Sequence, residues 1–164
     1  MDYLWSPWRM KYILGKEDES ECVFCHAIQQ DSDREYLIIH RGQNAFVMLN
    51  RYPYTSGHLM VLPYQHVSSY ELLNSDIRSE LIELINQATL VLRDAYQPNG
   101  FNVGANLGED AGAGLALHLH FHLVPRWRGD SNFMSVSSNT RVLPEALMTS
   151  YDRILTAWTK RYSD

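Results

Sequence analysis

Leu117-His118-Leu119-His120-Phe121-His122-Leu123-Val124-Pro125 alternates between two kinds of side chain. In an extended strand, successive side chains point to opposite faces of the sheet. His118, His120 and His122 therefore share one face, and Leu119, Phe121 and Leu123 share the other, where they can enter a core. The segment reads as a strand over 117–124, ended by Pro125. A single histidine at a sheet margin is ordinary, but three imidazoles at a spacing of two serve no packing purpose. Two chemistries use such a row. Imidazole is a common zinc ligand. A histidine nitrogen can also attack phosphorus and carry a covalent intermediate. The second needs a partner that fixes the tautomer, and neighbours that stabilise phosphate oxygens or protonate the leaving group. Spacing alone does not separate the two.

Outward from this strand, the chain alternates apolar runs with turn chemistry. Residues 35–40, with Tyr36, Leu37, Ile38 and Ile39, read as a strand, as do 45–49 and 58–62, the last stopped by Pro63. Between the latter two lies a turn region, 51–57, containing Pro53, Ser56 and Gly57, so they pair as a hairpin with a longer loop. The period then changes. Ile77, Leu81, Leu84, Ile85, Ala88, Val91, Leu92 and Ala95 recur at helical spacing. They predict a helix over 70–96, broken near 74–76 and closed by Pro98, Asn99 and Gly100. A strand over 101–106 and a glycine-rich stretch over 107–117 lead into the histidines. A last helix over about 144–161 starts near Pro144, with Leu147, Tyr151, Ile154, Leu155 and Trp158 as its apolar stripe. The expected fold is α+β, with a mainly antiparallel five-stranded sheet, a long central helix and a C-terminal helix.

The 164 residues suit a single domain over 1–164, with an N-terminal segment 1–34, a core at about 35–128 and the last helix. A hydrophobic share of 45% and a charged share of 20% mark a folded chain. The net charge of -5 supplies no basic field for long nucleic acid, though a local pocket can still take a small anion. The first residues lack a continuous apolar stretch and a small-residue cleavage site, and no run reaches the ~18 residues of a membrane span. A cytoplasmic protein without membrane contact is expected. Trp5, Trp8, Met10 and Tyr12 are suited to cover a core edge or a partner chain. Cys22 and Cys25, the only cysteines, suit a redox pair or half of a metal site.

His118 to Val124 resembles the His-φ-His-φ-His-φ-φ signature of the histidine-triad (HIT) family. The patterns at Leu4 to Arg9, Glu21 to Cys25, Asn102 to Gly108 and Pro125 to Trp127 are similar to the branch of bacterial and archaeal diadenosine tetraphosphate phosphorylase-like proteins. The likeness implies a HIT-like fold over nearly the whole chain. It implies that His120 attacks the α-phosphorus of a nucleotide or dinucleoside polyphosphate and carries a nucleotidyl group. The His118 backbone carbonyl would fix the His120 tautomer. His122 would contact phosphate, with His58, in Gly57-His58-Leu59-Met60-Val61, beside it. Asn50, eight residues earlier, takes the place of a ribose-binding residue, and Asn106 that of the asparagine before the glycine-rich loop. The acceptor is inorganic phosphate or water, and family members of this kind are typically homodimers. The family's runner-up chemistry is nucleoside phosphoramidase activity. A nucleotide-binding regulatory module without catalysis and a catalytic zinc enzyme are readings of another class.

Members that carry the Cys-x-x-Cys bind structural zinc with it, which here implies Cys22, Cys25, His66 and His118. No organic cofactor is implied. The loop from Asn106 to Gly114 lacks a P-loop lysine and the dinucleotide fingerprint. Its glycines, Gly112 and Gly114 among them, allow backbone N–H groups close to phosphate. Gly114-Leu115 stands where common hydrolase-like members carry Gln-Ser or Gln-Thr, and Leu117 stands where the phosphorylase-like branch is usually acidic. Arg126 is a candidate to neutralise a phosphate and Trp127 to pack on a base or a partner subunit. Arg128, Asn132 and Arg141 are weaker candidates for the same work, and His26 and His40 read as ordinary residues.

Overall fold

The computed structural model describes residues 22–130 and 145–162. Trp5, Trp8, Met10, Tyr12, Asn132, Arg141 and Pro144 lie outside the described residues. The elements in chain order are α1 (Val23–Gln29), α2 (Asp33–Tyr36), β1 (Ile38–Arg41), β2 (Ala45–Leu49), β3 (Leu59–Pro63), a 3-10 turn (Tyr70–Leu72), α3 (Ser75–Tyr96), β4 (Gly100–Ala105), a second 3-10 turn (Glu109–Ala111), β5 (Phe121–Arg126) and α4 (Leu147–Tyr162). The five strands form one sheet in the order β1-β2-β3-β5-β4, and every neighbouring pair is antiparallel. This is the expected α+β architecture.

Both faces of the central strands are covered, so β2 and β3 are apolar at every position rather than alternating. Val47, Leu49, Leu59 and Val61 face α3 and α4 and join Leu81, Leu84, Ala88, Leu92, Tyr151, Ile154 and Trp158 in the main core. Phe46, Met48, Met60 and Leu62 face the other way and pack under Phe24 of α1. The long helix forms as its periodicity predicts, with the anticipated break. The Asn74 side chain accepts the Ile77 N–H at 3.0 Å and caps α3, after the 3-10 turn. Gln97 ends the helix in a left-handed conformation, before Pro98.

β4 is shifted by one residue from the expected 101–106, and three further strand boundaries differ from expectation. The run at 35–40 is not one strand. Asp33–Tyr36 is a helical turn, Leu37 is left-handed with φ 63, and β1 starts only at Ile38. Leu37 is buried from this left-handed turn, its carbonyl accepting Leu49 N–H of β2 at 2.8 Å, so its apolar character did not mark a strand residue. Pro63 is the last residue of β3 rather than its stop, opposite Ala45, while His58 lies just before the strand. The third difference concerns the histidines. β5 spans Phe121–Arg126, so only His122 lies on the strand. The Leu119 N–H donates to Val67 O at 2.6 Å instead of to a neighbouring strand, and His118 N closes a turn on Leu115 O. Pro125 does not end β5. The Arg126 carbonyl accepts Asn99 N–H on the β4 side. By alternation, the missing N–H of Pro125 points to the side where β3 has already ended, and no ladder bond is lost.

Candidate active site and metal centre

His122 sits opposite Met60 and Gly104, on the sheet face covered by α1. Side chains of directly opposed residues share a face. Gly104 is exposed, and a Cβ there would meet nothing within 4 Å, which leaves open floor beside His122. Although residues 118–120 precede the strand, the alternation of faces persists. Leu119, Phe121 and Leu123 reach the core under α3 and α4, and the histidines take the other side. The His120 and His122 rings stand 4.9 Å apart, edge to face. The structure thus gathers His118, His120 and His122 as the alternation predicts, but not on a regular strand.

His58 joins them. Gly57 turns the chain at φ +78, and a Cβ there would lie 2.9 Å from the Tyr96 ring and 3.2 Å from Leu92, both on α3. Only glycine suits that left-handed, crowded position, which delivers His58 to the sheet with its side chain fully buried. Its Nε2 lies 3.0 Å from His122 Nδ1. Its Nδ1 accepts the backbone N–H of Tyr54 at 3.1 Å. Because Nδ1 accepts, the neutral ring carries its proton on Nε2 and donates it to His122 Nδ1. His122 then keeps its own proton on Nε2.

His120 has the complementary arrangement. Its Nδ1 lies 2.8 Å from the His118 carbonyl oxygen. A carbonyl only accepts, so the proton sits on Nδ1 and Nε2 holds a free lone pair. Burial lowers the His120 pKa, with the bond to His118 opposing it, which keeps the ring neutral and nucleophilic near pH 7. His122 is pushed down to about 4, first by burial and then by the neighbouring His120.

The His118 ring belongs to a second cluster. Its Nε2 donates to Pro63 O at 3.0 Å, leaving the Nδ1 lone pair turned to the cysteines. That Nδ1 lies 3.4 Å from Cys22 Sγ and 3.6 Å from Cys25 Sγ, and Cys25 Sγ lies 3.3 Å from His66 Nδ1. The four donor atoms fall within 4.8 Å of one another. A tetrahedral zinc with Zn–S and Zn–N bonds of roughly 2.3 and 2.0 Å places its ligand atoms about 3.6 Å apart. The observed sulfur–nitrogen separations match those edges. Two thiols and two imidazoles are a zinc donor set, and all four positions are filled by protein, so a metal here would be structural. Burial drives the His118 pKa down to about 4, which keeps the ring in the unprotonated form a metal needs.

The other residues named from the sequence have their own surroundings. Asn50 is half-buried and occupied in its own loop, its Oδ1 accepting Tyr52 N–H at 2.9 Å and its Nδ2 lying 3.3 Å from His58 Nδ1. Asn106 braces the glycine-rich loop through Nδ2 to Gly112 O at 3.3 Å. Gly112 needs its glycine, at φ 88, whereas Gly114 is simply exposed. The Arg126 guanidinium is paired with Asp130 at 2.6 and 2.9 Å and bonded to Asn102 Oδ1 at 2.6 Å. Trp127 meets Tyr96 edge-on at 6.2 Å. Leu117 is 71% exposed at the irregular entry to the triad. His40 stacks on Trp158, and His26 lies 3.4 Å from the Tyr36 hydroxyl. Sequence reasoning missed Phe24, whose ring packs 5.4 Å from His118 and 5.5 Å from His120, and Tyr54, whose ring lies 4.5 Å from His58. Phe24 stood between the two cysteines and was open to notice. The Tyr54 contribution to the His58 tautomer is a backbone N–H, which leaves no mark in a sequence.

A five-stranded antiparallel sheet with three clustered histidines before and on its fourth neighbour defines a histidine-triad protein. The HIT domain family matches residues 32–129, and the chain belongs to that family. A relative from Mycobacterium tuberculosis, called AP-4-A phosphorylase, is 40% identical over 96% of this chain and 85% of its own length. A crystal structure of a histidine triad nucleotide-binding protein from Sulfolobus tokodaii superposes with TM-score 0.68 at 26% identity, covering 87% of this chain and 97% of that one. A zinc-bound histidine triad protein from Mycobacterium smegmatis shares the fold, with TM-score 0.70 at 22% identity over 87% of this chain and 96% of its own. No helix among the described residues is long and apolar enough to cross a membrane.

Proposed function

We propose that this chain transfers nucleotidyl groups from dinucleoside polyphosphates, diadenosine tetraphosphate first among them, to inorganic phosphate or water. The observation that carries the reading is the His120 ring, held by the His118 carbonyl at 2.8 Å so that Nε2 is the nucleophile. Nε2 attacks the α-phosphorus, forming a phosphorus–nitrogen bond as the bond to the bridging oxygen breaks. The nucleotide leaves as its phosphate anion, the departing oxygen accepting a hydrogen bond from the Nε2–H of His122. The acceptor then attacks the phosphorus and frees His120, giving ADP with phosphate or AMP with water. The relative named AP-4-A phosphorylase, at 40% identity, supports the substrate class and favours phosphate as acceptor. Gly104 and the Asn106-braced glycine loop leave room for the phosphate chain beside His122.

Zinc is the metal that the Cys22, Cys25, His66 and His118 donors fit, in a supporting role. The exposed edge strand β4, with Val103 51% exposed, supports pairing of two copies, and cysteines that serve as metal ligands suit the reducing cytoplasm. The test incubates purified protein with diadenosine tetraphosphate, with and without inorganic phosphate, and separates the nucleotides. ADP plus ATP appearing only with phosphate establishes phosphorolysis, and AMP plus ATP in both establishes hydrolysis. His120→Ala must abolish turnover; near-normal turnover in that variant refutes the mechanism.

A further inference from the structure

The proton direction in the His58–His122 pair depends on the loop between β2 and β3, and the Thr55 side chain ties that loop to β5. β3 begins at Leu59, opposite Leu123, so the ladder between β3 and β5 stops there. Arg126 O accepts Asn99 N–H on the β4 side, and Pro125 O therefore points the opposite way, toward residues 50–57. No backbone N–H of β3 reaches it. The Thr55 hydroxyl donates to it instead, at 2.9 Å. Thr55 O in turn accepts the His58 N–H at 3.3 Å, and its chain neighbour Tyr54 provides the N–H that meets His58 Nδ1 at 3.1 Å. One residue thus joins the loop that sets the His58 tautomer to the strand that carries His122.

We infer that Thr55 is a positioning residue for nucleotidyl transfer: by holding Tyr54 N–H against His58, it keeps His122 Nε2–H a hydrogen-bond donor to the leaving group. With His58 Nδ1 accepting, His58 Nε2–H points at His122 Nδ1, 3.0 Å away, and the His122 proton stays on Nε2. If the loop moves off and His58 takes its proton on Nδ1, the pair reverses. His122 Nδ1–H then points back at His58, and His122 Nε2 offers a lone pair where the leaving oxygen needs a hydrogen-bond donor. The role rests on the nucleotidyl-transfer reading above, but the tautomers themselves are measurable without substrate.

The experiment uses the full chain, metal-loaded and labelled with 15N-histidine. Long-range 1H–15N spectra report which nitrogen of His58 and His122 is protonated. Wild type should show His58 protonated on Nε2 and accepting on Nδ1. Thr55→Val keeps the shape and removes the donor, and it should populate the reversed tautomer. It should also lower kcat on diadenosine tetraphosphate about tenfold with KM nearly unchanged, below the roughly 10²–10⁴ of a complete general acid. Thr55→Ser restores the hydroxyl and should restore both readouts. Thr55→Ala takes the place of valine if that variant unfolds. Unchanged tautomers overturn the inference, and so does a tautomer shift with kcat intact. A wild-type protein without turnover refutes the nucleotidyl-transfer reading and the catalytic role of Thr55 together, while the spectra still report the loop's hold on His58.

Discussion

Replacing His122 by asparagine should change stability with a sign that depends on pH. In the fold His122 Nδ1 accepts from His58, and burial with the nearby His120 pushes its pKa to about 4. In the unfolded chain the ring has its ordinary value of about 6.5. The folded pKa is the lower one, so the unfolded chain binds the extra proton. Stability is therefore complete above pH ~6.5 and is lost as pH falls toward about 4. A gap of roughly 2.5 units corresponds to about 3.4 kcal/mol, which residual solvent screening cuts to about 2 kcal/mol. Asparagine can offer its Oδ1 to the same His58 N–H but does not titrate. At pH 8 the variant should lie within about 1 kcal/mol of wild type, on the unfavourable side, for one imperfectly replaced hydrogen bond. At pH 4.5 it should be the more stable of the two by about 1–2 kcal/mol. The assay is urea unfolding at half-unit pH intervals, taking the difference between the chains at each pH so that contributions common to both cancel. A difference that stays constant from pH 8 to 4.5 refutes the neutral His122 on which the proton direction depends.

Two further outcomes follow from the geometry. The protein should purify with about one zinc per chain. Cys22→Ala should lose that metal and open the 22–30 segment to proteases while the sheet stays folded; if metal content and protease pattern stay as in wild type, the four-residue site is wrong. With free metal at 100 times its dissociation constant, the stability lost on chelation should be about 2.7 kcal/mol. Gly57→Ala places a side chain at φ +78 and 2.9 Å from the Tyr96 ring. It should cost about 1–3 kcal/mol in urea unfolding, and a neutral result would show that the turn can move without penalty.

What the sequence made legible is what burial alone dictates. Leu119, Phe121 and Leu123 alternate with the histidines in the structure as in the sequence, because entering the core requires only that side, not a ladder. The period of α3 and its cap at Asn74 are likewise local matters. What failed was the backbone. Residues 35–40 hold a β-like run, yet Leu37 buries itself from a left-handed turn. Residues 117–120 look extended, yet Leu119 N–H donates to Val67 O, a loop carbonyl distant in the chain, and His118 N–H closes a turn on Leu115 O. The site divides in the same way. Residue types announced the imidazoles and thiols. The atoms that decide their protonation are His118 O, Pro63 O and Tyr54 N–H, which every sequence possesses and no pattern marks.

Those backbone atoms also explain why a structural metal would sit so near a reaction it does not enter. His118 serves both centres through different ends of one residue. Its ring is gripped between Pro63 O and the cysteines, and its carbonyl holds His120 Nδ1 at 2.8 Å. The residue lies outside any strand, so no ladder fixes that carbonyl. The ring must anchor it from the side, helped by Phe24 of α1 pressing on both imidazoles. A metal on Cys22 and Cys25 would fasten α1, and with it Phe24, to the same point. The irregular backbone that defeated the strand reading is thus the reason the orientation of the His120 ring is built from side chains, and the reason two cysteines far away in the chain converge on it.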